Sequence, residues 1–276
     1  MQRIDDRVDV ANTLESGQSF LWTRDDGRDG WCSAVVDGEG LRVRDAPDGG
    51  VEYETTGLDE DRVRELLGLD DDLGEIHDAI TDDERVARAV EEYGGMRVVS
   101  DPFFACSVSF IISAQNRIPR IRKLVDDISR ELGPRVDGYG HGFPSPETLA
   151  SVGEEPLREL GLGYRAPYVA ESARMVADGE VDPDGVRALP YEEAHDAVQE
   201  LVGVGDKVGD CVLLFSLGFG EAVPLDTWML RVIEEHYPEM DGDGYDETAD
   251  AFRERFGEYA GYAQNYLFHY ERTRDA

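Results

Sequence analysis

Two periods of hydrophobic spacing divide the chain. Over residues 10 to about 56, apolar positions alternate with polar ones in short runs broken by turn dipeptides. Trp31-Cys32-Ser33-Ala34-Val35-Val36 is followed by Asp37-Gly38-Glu39-Gly40 and then by Leu41-Arg42-Val43-Arg44. A period of two around a glycine turn predicts a β-hairpin, and a further strand is expected over residues 51–55. Across residues 59–94 the spacing lengthens to the helical one, with Leu66, Leu67, Ile76, Ile80, Val86, Ala89 and Val90 as the apolar positions. From Pro102 onward the chain reads as almost wholly helical. An apolar helix is expected over residues 103–114, then one over 118–132, then a Gly/Pro-rich loop over 133–146. Further helices are expected over roughly 146–160, 166–178, 190–201, 206–218, 227–236 and 246–270.

The pattern predicts an α+β protein with two parts. Residues 1–99 would form a small antiparallel sheet with flanking helices, and residues 100–276 a helical domain. No run of 18 apolar residues occurs, so no membrane span is expected. The opening MQRIDDRVDV is too charged for a signal peptide. Three cysteines, Cys32, Cys106 and Cys211, lie far apart, which points to a reducing cytoplasm and not to a metal or iron–sulfur centre.

Charge changes the picture. A net charge of −34 argues at first against nucleic acid as a partner. Abundant acid, scarce lysine and 41% hydrophobic residues together fit a folded protein adapted to a salt-saturated cytoplasm. Screening there acts over roughly 3 Å at 1 M salt, so local geometry outweighs net charge. The stretch 113–125 holds four cations, Arg117, Arg120, Arg122 and Lys123, and no acid, which points to DNA contact, although a basic turn could also merely balance nearby acids.

Only two lysines occur, Lys123 and Lys207. Lys207 follows the turn Gly203-Val204-Gly205, where a helix should begin. Two close glycines before a helix N-terminus suit a backbone phosphate, read without sequence; an ordinary helix–helix turn would look the same. Arginine would serve for phosphate, but only lysine can shed its proton and act as an amine nucleophile. On a helix from Asp206, Asp210 and Cys211 fall at i+3 and i+4 of Lys207. An i,i+3 pair with Asp210 would therefore be the plain alternative. Val208, Val212, Phe215 and Phe219 mark the buried stripe. Asp226, after Val-Pro-Leu at 223–225, occupies an N-cap position. A cap needs no other purpose, yet a carboxylate held ionised there could stabilise positive charge developing on a sugar.

These residues carry a resemblance. The stretch 201–211 followed by Val-Pro-Leu-Asp resembles the helix-hairpin-helix DNA glycosylases, and within them the 8-oxoguanine DNA glycosylase family. Four other segments match in order: Ser16-Gly17-Gln18-Ser19-Phe20 with Trp22; residues 95–116, ending Ser-Phe-Ile-Ile-Ser-Ala-Gln-Asn; Leu162-Gly163-Tyr164-Arg165-Ala166; and residues 260–268. The resemblance implies an N-terminal sheet like half a TATA-binding protein and a helical domain with its hairpin motif near 195–219. It implies Lys207 as the nucleophile and Asp226 as the assisting carboxylate. Cys211 and Phe268 would sandwich the everted purine, Gln264 would read its Watson–Crick edge, and Gly17 would accept the N7–H peculiar to oxidised guanine. Gln115, Asn116, Arg120, Tyr164 and Arg165 would contact DNA around the opposite cytosine, with Gly203 and Gly205 gripping the backbone. Gln115 stands where the family typically has Asn, and Trp228 where eukaryotic members carry His. Trp228 is expected to pack on Phe268 or the lesion, although it and Phe268 would serve equally as core.

The expected activity is a bifunctional glycosylase/β-lyase on 8-oxoguanine in double-stranded DNA. It would be monomeric, cytoplasmic and nucleoid-associated, with no cofactor and no metal. A monofunctional alkyl-purine glycosylase would not need Lys207, and a non-enzymatic DNA-binding module would need neither Lys207 nor the base pocket.

Overall fold

The computed structural model describes residues 1–25, 30–47 and 49–274. Strand β1 (Gln2–Ile4) and helix α1 (Val10–Glu15) precede β2 (Thr23–Arg24), β3 (Cys32–Val36), β4 (Glu39–Asp45) and β5 (Val51–Thr55). The strands form one antiparallel sheet in the order β1-β5-β4-β3-β2. In its register Val43 lies opposite Cys32 on one side and Tyr53 on the other. Leu41, Val43 and Tyr53 are buried while Arg42 and Arg44 alternate with them, so a one-residue slip would exchange core and polar sets. The hairpin expected from the alternation is therefore β3–β4. Strands β1 and β2 escaped it, being too short to show a period.

Helices α2 (Glu60–Leu66), α3 (Leu73–Ile80) and α4 (Glu84–Tyr93) follow, then the largely apolar α5 (Phe103–Ser113) and the amphipathic α6 (Ile118–Leu132). In this acid-rich chain aspartate is the usual cap. Asp9, Asp59, Asp72, Asp83 and Asp182 each accept a backbone N–H at a helix start.

The stretch expected to be a loop carries a small hairpin instead, β6 (Arg135–Val136) with β7 (Gly140–His141). It covers the outer face of the main sheet. The Tyr139 ring lies 4.4 Å from the Arg42 guanidinium and fills the space above Gly40, where a Cβ would collide with it. Strand β3 is consequently buried along its whole length.

Two long helices expected from the pattern are each broken by a glycine in the left-handed region. The first divides into α7 (Pro146–Val152) and α8 (Glu154–Glu159) at Gly153, φ 74°. The remainder runs α9 (Ala166–Ala177), α10 (Pro183–Arg187), α11 (Tyr191–Gln199) and α12 (Asp206–Val212). Helix α12 widens into a π turn over Leu213–Leu217 and stops at Gly218, φ 82°. Then come α13 (Thr227–His236), α14 (Tyr245–Phe256) and α15 (Ala260–Arg274), the last two separated at Gly257, φ 61°. Hydrophobic period alone cannot register such breaks, because the apolar stripe resumes in phase beyond each glycine.

One continuous hydrophobic cluster extends from Ile4 to Tyr270. Helix α15 returns to the N-terminal part, with the Tyr262 hydroxyl donating to Asp71 at 2.6 Å and Arg85 paired to Glu271 at 2.6 Å. That return brings the loop after α1 beside the last helix of the chain, and the site forms there.

Candidate active site

The turn between α11 and α12 needs its first glycine. Gly203 has φ 93°, and a Cβ there would stand 2.9 Å from that of Tyr168. Gly205 is extended and faces open space. Lys207, two residues on, is half-buried. Its Nζ donates to Ser113 Oγ at 3.3 Å and lies 4.9 Å from the centroid of the Phe110 ring. A hydroxyl and a ring face thus hold the ammonium group, and it forms no ion pair among the described residues.

The i,i+3 pair with Asp210 does not form. Asp210 is completely buried and accepts the hydroxyls of Tyr191, at 2.5 Å, and Tyr245. Burial raises its carboxyl above the ordinary range, against the lowering effect of both phenols. Cys211 does share the face of Lys207. Its thiol is buried and pushed up to about 11 by that burial, with the nearby lysine acting against the rise. It is a neutral, polarisable surface.

Asp226 caps α13 as expected: Oδ1 accepts Trp228 N–H at 3.0 Å and Met229 N–H at 2.9 Å. The helix terminus orients the carboxylate. Gly17 has φ 105°, and a Cβ there would come 2.9 Å from Ile118 Cδ1. Gln18 anchors the loop from below. Its amide donates to the Thr13 and Arg97 carbonyls at 2.7 and 2.8 Å and accepts Val99 N–H at 2.9 Å.

These pieces converge. A narrow cleft of about 40 Å³ is lined by Gly17, Gln18, Phe110, Lys207, Cys211, Phe215, Pro224, Asp226, Gln264, Asn265 and Phe268. Gln264 Oε1 and Asn265 Nδ2 are buried in its lining without a protein partner, a costly arrangement that a hydrogen-bonding ligand relieves. Larger grooves elsewhere, of about 370 to 600 Å³, have no buried polar side-chain atom lacking a partner among the described residues that line them. Chemistry, not size, singles out the small cleft.

Six expected residues therefore share one cleft: Lys207, Asp226, Gly17, Cys211, Gln264 and Phe268. Trp228 stands outside it, its ring 5.4 Å from the Arg231 guanidinium. Two positions past the cap on α13, its side chain leaves the helix on a different side from Asp226. The expected DNA contacts gather on a neighbouring face. Gln115 is exposed at the strained φ of 57°. Asn116 Nδ2 donates to the Ile112 carbonyl at 2.8 Å and so caps α5. Arg120 reaches the Gly161 carbonyl at 3.2 Å. Arg165 is buried, donates to the Ala114 carbonyl and stacks on Tyr164 at 4.3 Å. Tyr164 is 49% exposed and meets Tyr168 edge-on.

Sequence reasoning missed Gln18, Asn265, Tyr168 and Arg272 as members of the site. The first two lie inside matched segments, and Tyr168 falls at i+4 from Tyr164. Arg272 follows Phe268 by four residues on α15; its guanidinium lies 4.9 Å from that ring, and Nη1 is buried without a partner beside Gly17.

With this geometry in place, comparison with known proteins is decisive. Residues 3–106 match the family model "8-oxoguanine DNA glycosylase, N-terminal domain", and residues 108–258 match the "HhH-GPD superfamily base excision DNA repair protein". The chain belongs to the 8-oxoguanine DNA glycosylase family. The N-glycosylase/DNA lyase of Arabidopsis thaliana is 31% identical over 93% of this chain and 75% of that protein. A probable N-glycosylase/DNA lyase of Methanothermobacter thermautotrophicus is 30% identical over 77% and 74%. The solved 8-oxoguanine glycosylase/lyase of Clostridium acetobutylicum, in complex with double-stranded DNA containing cytosine opposite 8-oxoguanine, superposes with a TM-score of 0.88. It is 27% identical, covering 100% of this chain and 98% of that one. The sheet-plus-helical architecture is thus that of the family, as the sequence pattern led one to expect.

Proposed function

We propose that this chain is a bifunctional DNA glycosylase and abasic-site lyase that removes 8-oxoguanine from duplex DNA opposite cytosine. The observation that carries the reading is the convergence of Lys207 and Asp226 on a cleft whose other walls are suited to a purine. The unprotonated Lys207 amine attacks C1′ of the everted nucleoside. The N9–C1′ bond breaks, and its electron pair leaves with the base, which takes up a proton. Asp226 stabilises the positive charge developing on the sugar. The adduct opens to a Schiff base, and loss of a C2′ proton expels the 3′ phosphate and cuts the strand.

Recognition follows from the lining. Phe268 and Cys211 clasp the base between them, and Gln264 reads its Watson–Crick edge with an amide that has no competing protein bond at Oε1. The Gly17 carbonyl accepts the N7–H of the oxidised base; guanine presents a lone pair there and is rejected. A purine needs more than the 40 Å³ of the cleft, so entry displaces the closing side chains, of which Phe268 is among the least buried. Gln115, Arg120, Tyr164 and Arg165 fill the gap in the duplex and offset the cost of base extrusion, a few kcal/mol.

The acidic, lysine-poor composition supports a salt-rich cytoplasm as the setting, with the enzyme acting as a monomer on the nucleoid. Division into a sheet part to residue 99 and a helical part from residue 100 belongs to the same reading.

Borohydride trapping on a duplex carrying 8-oxoguanine opposite cytosine is the direct test, with Lys207→Gln alongside. A covalent adduct in the parent that disappears in the variant is expected. Base release without an adduct would indicate a monofunctional enzyme, and binding alone a DNA-binding module.

A further inference from the structure

The proposed chemistry needs two separate segments held at one spacing: α12, which carries Lys207, and the extended run of residues 223–225, which delivers Asp226. Between them along the chain lie a π turn and a Gly-Phe-Gly bend. Tyr245, at the start of α14, bridges the two directly. Its hydroxyl donates to Asp210, one helical turn beyond Lys207. The same oxygen accepts Leu225 N–H at 3.3 Å and lies 3.0 Å from the Val223 carbonyl oxygen. Leu225 immediately precedes Asp226. One phenol therefore touches the helix of the amine and the strand of the carboxylate.

The anchor on the α12 side is firm. Asp210 is 0% exposed, and its other oxygen accepts the Tyr191 hydroxyl at 2.5 Å. A buried carboxylate cannot leave such donors without a large desolvation cost, so the rotation of α12 about its axis, and with it the direction of Lys207, is locked.

We infer that Tyr245 is a positioning residue that sets the separation of the Lys207 amine from the Asp226 carboxylate, acting through Asp210 on one side and Leu225 on the other. This rests on the reading of Lys207 and Asp226 as the reacting pair.

The fold supplies its own control. Tyr191 donates to the same carboxylate and accepts Arg253 Nη1 at 2.9 Å, but makes no bond to residues 223–226 among the described residues. Removing either hydroxyl takes one donor from Asp210; only one removal severs the bridge. The experiment compares Tyr245→Phe with Tyr191→Phe in the full-length protein. It measures thermal midpoint, affinity for a duplex carrying a tetrahydrofuran abasic analogue, single-turnover release of 8-oxoguanine, and borohydride trapping on a preformed abasic site.

Both variants should melt earlier. Tyr245→Phe should release base about tenfold more slowly or worse, with affinity unchanged. Trapping on the preformed aldehyde, which needs the amine but not its alignment with Asp226, should slow less. Tyr191→Phe should stay within about twofold of the parent in every rate. Asp210→Asn, which weakens the bridge from its other end, should reproduce the selective slowing if Tyr245→Phe does not fold. Equal slowing in Tyr245→Phe and Tyr191→Phe, or parental rates in both Tyr245→Phe and Asp210→Asn, overturns the inference. A parent that neither releases base nor traps an adduct overturns the functional reading instead.

Discussion

The two lysines occupy opposite kinds of surroundings. Lys123, on α6, is exposed and clasped by Asp127 one turn away, at 2.7 and 2.9 Å. Lys207 is half-buried over an aromatic ring, hydrogen-bonded to a serine and paired with no carboxylate. The arginines repeat the contrast. Arg174 on α9 holds three acids, Glu171, Asp178 and Glu180, at 2.7 to 2.8 Å. Arg117 and Arg120, near the Gln115 turn, form no salt bridge among the described residues. In a chain with 61 acids and 27 cations, most cations find an acid. Among the described residues Lys207, Arg117, Arg120, Arg165 and Arg272 find none and lie around the cleft or on the adjoining surface, where a carboxylate would compete with phosphate. Other cations without an acid are engaged elsewhere, Arg97 on backbone carbonyls, Arg231 over Trp228 and Arg274 on Tyr270. Net charge therefore says little about this protein's partner; the placement of unpaired cations says much more.

Three sets of variants can break or sharpen that contrast. The largest effect is expected between the lysines themselves. Lys207→Gln should lower base release by on the order of 10³-fold or more, as loss of a nucleophile does, while Lys123→Gln leaves it near the parental rate. Comparable losses from both would erase the distinction. The second effect concerns a buried acid with no salt bridge among the described residues, Asp101, whose carboxyl is pushed up to about 7 by burial, with a Ser19 hydrogen bond and the Arg62 charge working against the rise. The folded state keeps this proton where the unfolded chain, with a pKa near 4, has lost it. The contribution is thus complete below about pH 4 and diminishes as pH rises toward 7, by roughly 2–4 kcal/mol. Denaturant titrations of the parent and Asp101→Asn between pH 5 and 8 should show a difference that falls with pH; a flat difference would exclude it. The smallest effect separates the arginines. Arg117→Gln with Arg120→Gln should reduce the slope of log affinity against log salt by about one unit per cation, whereas Arg174→Gln leaves that slope unchanged.

Much of the candidate site was legible in the sequence. Lys207 stood out because lysine is rare here and a glycine turn precedes it, and Asp226 because Pro224 and a helix start frame it. The alternative pairing of Lys207 with Asp210 fails for a definite reason. Helical spacing places i+3 near i, but whether that side chain turns to solvent or inward depends on Tyr191 and Tyr245, which arrive from distant segments. Trp228 was expected near the lesion from the resemblance, and the turn of α13 keeps it out of the cleft lining.

Period and turn chemistry settled the element types, the antiparallel hairpin and the helical second half, since each depends only on neighbours a few residues apart. The amine, the capping carboxylate and the glycine turn could be named for the same reason. Packing alone decided that Gly17 and Phe268 line one cleft, that α15 returns to the N-terminal part, that a supposed loop covers the sheet, and that a tyrosine on α14 spans the segments carrying Lys207 and Asp226. Those contacts join residues tens to hundreds of positions apart, and no local pattern encodes which distant partner a buried polar group will find.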